Sequence, residues 1–125
     1  MTDKRLVFLN LLKIKLPLPG LVSFLHRVSG ILLFFAMPFF LFALQKSLAG
    51  LEGYAEIEHF LSSFPIIFLV FMLLLALSHH FLAGIRFLLM DLDIGLSKTV
   101  SIRSSKMVFI GAITLALLLT FGLYR

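Results

Sequence analysis

The chain has 125 residues, of which 61% are hydrophobic and 14% charged, with a mean hydropathy of +1.12 and no cysteine. Soluble domains are nearer half apolar and a quarter charged, so this composition is that of a small integral membrane protein, read as one domain over 1–125, and the missing cysteines exclude disulfides, thiol redox chemistry and iron–sulfur ligation by this chain. The net charge of +5 would suggest nucleic acid in a soluble protein, but here the basic residues lie on short loops with no reading module, and nucleic acid is excluded as a partner.

In chain order, Asp3, Lys4, Arg5, Lys13, Lys15, Pro17 and Pro19 precede any long apolar run. This segment does not read as a secretory signal, and it is too poor in Arg and Ser for a transit peptide. Residues 6–16 are expected to lie along the membrane surface, with Lys13 and Lys15 toward the headgroups. Pro17-Leu18-Pro19-Gly20 then breaks the chain. The first uncharged run covers 28–45 and extends back to about 21 if His26 and Arg27 are tolerated; Pro38 is expected to kink it. Residues 46–59, with Glu52, Glu56, Glu58 and His59, read as a loop. The sequence Ser62-Ser63-Phe64-Pro65 resembles a helix start, with Ser as cap and Pro in the first turn. A second apolar run from 60 continues to about 88, interrupted by His79 and His80, and a third covers about 105–124. Eighteen residues of helix rise about 27 Å, close to a hydrocarbon core of about 30 Å. The fold expected is therefore an all-α membrane protein with three transmembrane helices at about 21–45, 60–88 and 105–124.

Charge sets the orientation. Lys4, Arg5, Lys13, Lys15 and Arg27 flank the first span, and Arg86, Lys98, Arg103 and Lys106 flank the loop between the second and third. Only Lys46 and Arg125 lie on the opposite side. The positive-inside rule then puts the N-terminus and the 86–106 loop inside, and the 46–59 loop outside.

Two patches break this pattern. Residues 23–30 read SFLHRVSG and residues 78–86 read SHHFLAGIR. Ionisable groups at membrane depth are costly and mark function by default. The orientation places both patches near the inner face. His80 and Gly84, four apart, share one helical face, which suits a flat cofactor: the imidazole can ligate haem iron while the glycine admits a large ring. His79 points about 100° away and cannot share that role. Ser23, Arg27 and Gly30 line one stripe of the first span, with His26 and Ser29 at its edge. Each residue has a plainer reading as well. An intramembrane His can simply hydrogen-bond a neighbouring helix, a terminal Arg can snorkel, a glycine can serve packing, and a serine can bond back to a carbonyl. Three functions survive: a haem-bearing electron-transfer subunit with a quinone pocket, a cofactor-free anchor or assembly protein, and an ion pathway. The last is weak, because no carboxylate lies inside a span.

The segment SFLHRVSG resembles the S-x-x-H-R-x-S-G signature of the cytochrome b subunit of succinate dehydrogenase, one of the two membrane anchors of complex II. The segment HFLAGIRFLLMD, residues 80–91, resembles that family's H-x-x-x-G-I-R-H-x-x-x-D signature. Motif order, spacing and the three spans match over nearly the whole chain. The resemblance implies a heterodimeric anchor bundle with a second three-helix subunit, holding the iron–sulfur and flavoprotein subunits on the lipid bilayer. It implies one haem b shared between the two anchors, with His80 as iron ligand, and ubiquinone near Ser23 and Arg27. His26 and Arg86 are expected at the haem propionates, and Gly84 beside the haem. No dicarboxylate or flavin site is expected on this chain. Phe87 stands where the family has His, so any propionate contact from that His is lost. His26 and His80 as two ligands of one haem within a single chain is a further possibility. A quinol:fumarate reductase anchor is the alternative within the family, and a haem-free anchor the alternative outside it. The expected location is a bacterial inner membrane, with the mitochondrial inner membrane second.

Overall fold

The computed structural model describes residues 15–125, which form four helices: α1 Leu18–Leu48, α2 Leu51–Leu61, α3 Phe64–Asp91 and α4 Lys98–Tyr124. The expected surface segment 6–16 lies, except for its last two residues, outside the described residues. Among the described residues there is no strand. Helices α1, α3 and α4 are each long and apolar enough to cross a membrane. Their 31, 28 and 27 residues exceed the roughly 20 that a bilayer core requires, so their ends project into the headgroups or the helices tilt.

Local chemistry accounts for the boundaries. Pro17 caps α1 in an extended conformation and Pro19 sits in its first turn, where a missing N–H costs nothing. The helix continues through Pro38, which deprives the Phe34 carbonyl of its helical donor. Ser63 takes the cap position of α3, but its hydroxyl donates to the Phe60 carbonyl at 3.0 Å rather than serving the helix's free N–H groups. Ser97 caps α4 and accepts from the Val100 N–H at 3.4 Å.

The segment expected as an outer loop is instead largely α2. Gly50, at φ 138°, reverses the chain, a conformation that only glycine adopts readily. α2 then returns so closely to the end of α1 that a Cβ on Gly53 would lie 2.3 Å from the Lys46 carbonyl oxygen. Lys46 pairs with Glu56 across the same junction. At this end Tyr124 also donates to the Leu61 carbonyl at 3.1 Å, tying the end of α4 to α2.

α3 packs on both α1 and α4 and forms the centre of the bundle. The buried apolar side chains are small: Val22, Ala83, Val108, Ala112 and Ala116. Beside them lie buried polar groups, Ser29, Ser78, His79, Arg86 and Ser105. The large apolar side chains face outward, Phe39 at 76% exposure among them. Such an inversion suits a lipid solvent, where small residues let helices approach and polar groups turn toward one another.

Candidate functional site

The two patches meet at the crossing of α1 and α3. The rings of His26 and His80 stack at 4.1 Å between centroids and 8° between planes. The meeting is reciprocal. Each helix carries His-x-x-x-Gly, His26 with Gly30 and His80 with Gly84, and each histidine lies over the other helix's glycine. A Cβ on Gly30 would stand 3.0 Å from His80 Cε1, and one on Gly84 would stand 3.6 Å from His26 Nε2. Side chains four apart share a face, so one glycine spacing on each helix clears room for the opposite ring. Phe87 meets His26 edge-on at 5.2 Å.

Hydrogen bonds define the donor state of His80. Its Nδ1 lies 3.1 Å from the His26 carbonyl oxygen and 3.2 Å from Ser29 Oγ. A carbonyl can only accept, so Nδ1 carries the proton in the neutral ring and Nε2 keeps its lone pair. An imidazole held this way is ready to bind a metal through Nε2. His80 therefore fits a ligand for haem iron, and the fit rests on the bonding of its ring alone.

His79 goes elsewhere. The 100° step per residue turns it into the interior, 7% exposed, with its ring 5.5 Å from that of Phe109. Its Nε2 and the neighbouring Ser78 Oγ are buried with no hydrogen-bond partner among the described residues. Phe109 and the packed helices leave no open face for a macrocycle at that ring.

Arg86 does not join the imidazole pair. Six residues past His80, it projects about 120° around α3 from it and is 6% exposed. Its Nε donates to Ser104 Oγ at 2.9 Å and its Nη2 to Ser101 Oγ at 2.9 Å, both on α4. Its guanidinium carbon also lies 5.5 Å from the centre of the Phe87 ring. Ser23 is half-buried on α1 and Arg27, one turn on, is exposed; Arg27 has no ion-pair partner among the described residues. A free guanidinium and a hydroxyl one turn apart can bind a carbonyl oxygen that gains negative charge.

Two features escaped the reading of the sequence. One is the reciprocal glycine contact, although the His26–Gly30 spacing was visible. The other is the contact of Ser29 with the His80 ring; the sequence placed Ser29 at the edge of the stripe and gave it only a bond back to a carbonyl.

The family model described as the succinate dehydrogenase/fumarate reductase transmembrane subunit matches residues 1–121. A relative from Coxiella burnetii (strain RSA 493 / Nine Mile phase I), the succinate dehydrogenase cytochrome b556 subunit, is 38% identical over 93 residues, covering 74% of each chain.

Proposed function

The chain belongs to the succinate dehydrogenase/fumarate reductase transmembrane subunit family, and from that premise we propose that it is the haem b-binding membrane anchor of a succinate:quinone oxidoreductase, carrying electrons from the iron–sulfur subunit to ubiquinone. The observation that carries this reading is His80, whose Nδ1 is committed to the His26 carbonyl at 3.1 Å, leaving Nε2 for iron.

In this reading the haem, when bound, supplies a one-electron relay within the membrane. His80 would hold its iron, and a second three-helix anchor subunit would supply a further ligand. The His26 and His80 rings stack face to face, an arrangement that does not favour both serving one iron within this chain. Gly84 leaves room that the His26 ring takes up against His80, and His26 is the better placed of the two residues expected at the haem carboxylates. Arg86 commits its Nε and Nη2 to α4.

Quinone reduction takes two electrons and two protons. Arg27 stabilises negative charge growing on a quinone oxygen, and Ser23 donates a hydrogen bond to it. The pair is open to such a ligand, because Arg27 is exposed. The iron–sulfur subunit, with the flavoprotein subunit behind it, docks on the inner face, where Lys15, Arg27, Lys98, Arg103 and Lys106 are all exposed. The same basic bias supports an N-terminus inside a bacterial inner membrane. The name of the Coxiella burnetii relative favours succinate oxidation over the reverse reaction of a quinol:fumarate reductase.

The quinone half is tested by Arg27→Leu in the assembled complex. Succinate:ubiquinone reductase activity is expected to fall roughly 10²-fold, the usual cost of removing a group that stabilises developing charge. Succinate oxidation by an artificial acceptor, which bypasses the anchor, is expected to survive. An equal fall in both activities contradicts the assignment.

A further inference from the structure

The imidazole of His80 is held from two sides, and one of them is a side chain. Ser29 is 4% exposed, among the most buried polar residues of the bundle. Its hydroxyl donates to the His26 carbonyl at 2.9 Å, and the same oxygen lies 3.2 Å from His80 Nδ1. The His26 carbonyl completes a triangle, 3.1 Å from Nδ1. A hydroxyl has one proton. Spent on the carbonyl, it leaves only lone pairs facing Nδ1, so both oxygens accept from one ring N–H. A single acceptor would leave the ring free to swing about that bond, whereas two acceptors from the same helical turn fix its plane as well as its tautomer. Another side of the ring is closed by Gly30, where a Cβ would stand 3.0 Å from Cε1, which leaves little slack.

We infer that Ser29 is a positioning residue for the iron ligand, its hydroxyl fixing the plane of the His80 ring and the presentation of Nε2 across the α1–α3 crossing. This rests on the haem reading of His80. A bond back to a carbonyl on the same helix is the ordinary use of a buried serine, but that use needs no partner on another helix, and Ser29 has one.

The test uses the assembled complex, with Ser29→Ala, Ser29→Thr and Ser29→Val. The last two share one shape and differ by a hydroxyl. Two readouts are taken: the low-spin ferric haem signal in electron paramagnetic resonance, which reports the orientation of the ligand planes, and the rate of haem loss to a haem-scavenging protein. The Ala and Val variants are expected to show a shifted or broadened signal. Their haem loss should be roughly 10- to 100-fold faster, the usual cost of losing a partner that orients a metal ligand. Ser29→Thr is expected to stay near the parent in both. If Ser29→Ala fails to assemble, the Thr/Val comparison decides. The inference is overturned if the Ala and Val variants match the parent, or if Thr and Val behave alike. Haem retained in full in a His80→Ala complex would instead overturn the haem reading beneath it.

Discussion

A complex carrying His80→Ala is expected to lose most of its b-type haem absorbance, while His79→Ala keeps it. The two residues are adjacent, so composition, depth and distance along the chain cannot separate them; direction does. His80 sits in the α1–α3 groove with Nδ1 anchored to the His26 carbonyl and Nε2 available. His79 lies among α3 and α4, 7% exposed and packed against Phe109. Its replacement removes packing, and a truncation of that kind costs about 1–3 kcal/mol, felt as lower thermal stability with the haem spectrum intact. Reduced-minus-oxidised spectra of the two variants, normalised to flavin, make the comparison. Haem lost with His79→Ala and kept with His80→Ala would reverse the ligand assignment.

The second large effect is expected at Arg86, and it is on stability. Arg86→Met should lower the stability of the assembled complex by about 2–3 kcal/mol. That figure takes two bonds at roughly 1–1.5 kcal/mol each, between the values for polar pairs in membranes and those for charge-assisted bonds. The geometry gives the reason: a guanidinium 6% exposed bridges α3 to two serines one turn apart on α4, Ser101 and Ser104. Arg86→Lys should not restore it, because a single ammonium lacks the planar fork that reaches both hydroxyls. Thermal denaturation with haem absorbance as a parallel readout separates this role from the one expected at the haem carboxylates. A lowered melting temperature with an unshifted spectrum fits the α4 bridge. A shifted spectrum at parental stability would place Arg86 at the haem after all.

The spans were legible because nothing but membrane asks for three uncharged runs of that length. Their ends were not. Hydropathy stops at charge, whereas α1 begins at Leu18, before His26 and Arg27, and α4 begins at Lys98, well ahead of its apolar run. Long basic side chains can snorkel, so the helices run on past the hydrocarbon. α2 was hidden by its own composition: glutamates every few residues read as loop, and the contact that fixes it, Gly53 against the Lys46 carbonyl, joins residues on two elements. That His79 and His80 meet different neighbours follows from the 100° step and could be read in advance. The same arithmetic turns Arg86 away from His80; its place at the haem propionates was implied by the resemblance, and the two α4 serines that take its Nε and Nη2 lie on another helix, where no pattern along α3 could show them. The stacking of His26 on His80 needed the crossing of two helices, which no single-helix pattern contains.

The purified complex tests the central claim most directly, through its haem-to-flavin ratio. One b-type haem per flavin, in a complex containing this chain, a second three-helix anchor, an iron–sulfur subunit and a flavoprotein, is the result expected. A complex of those subunits that reduces quinone with this chain present and no haem would contradict it.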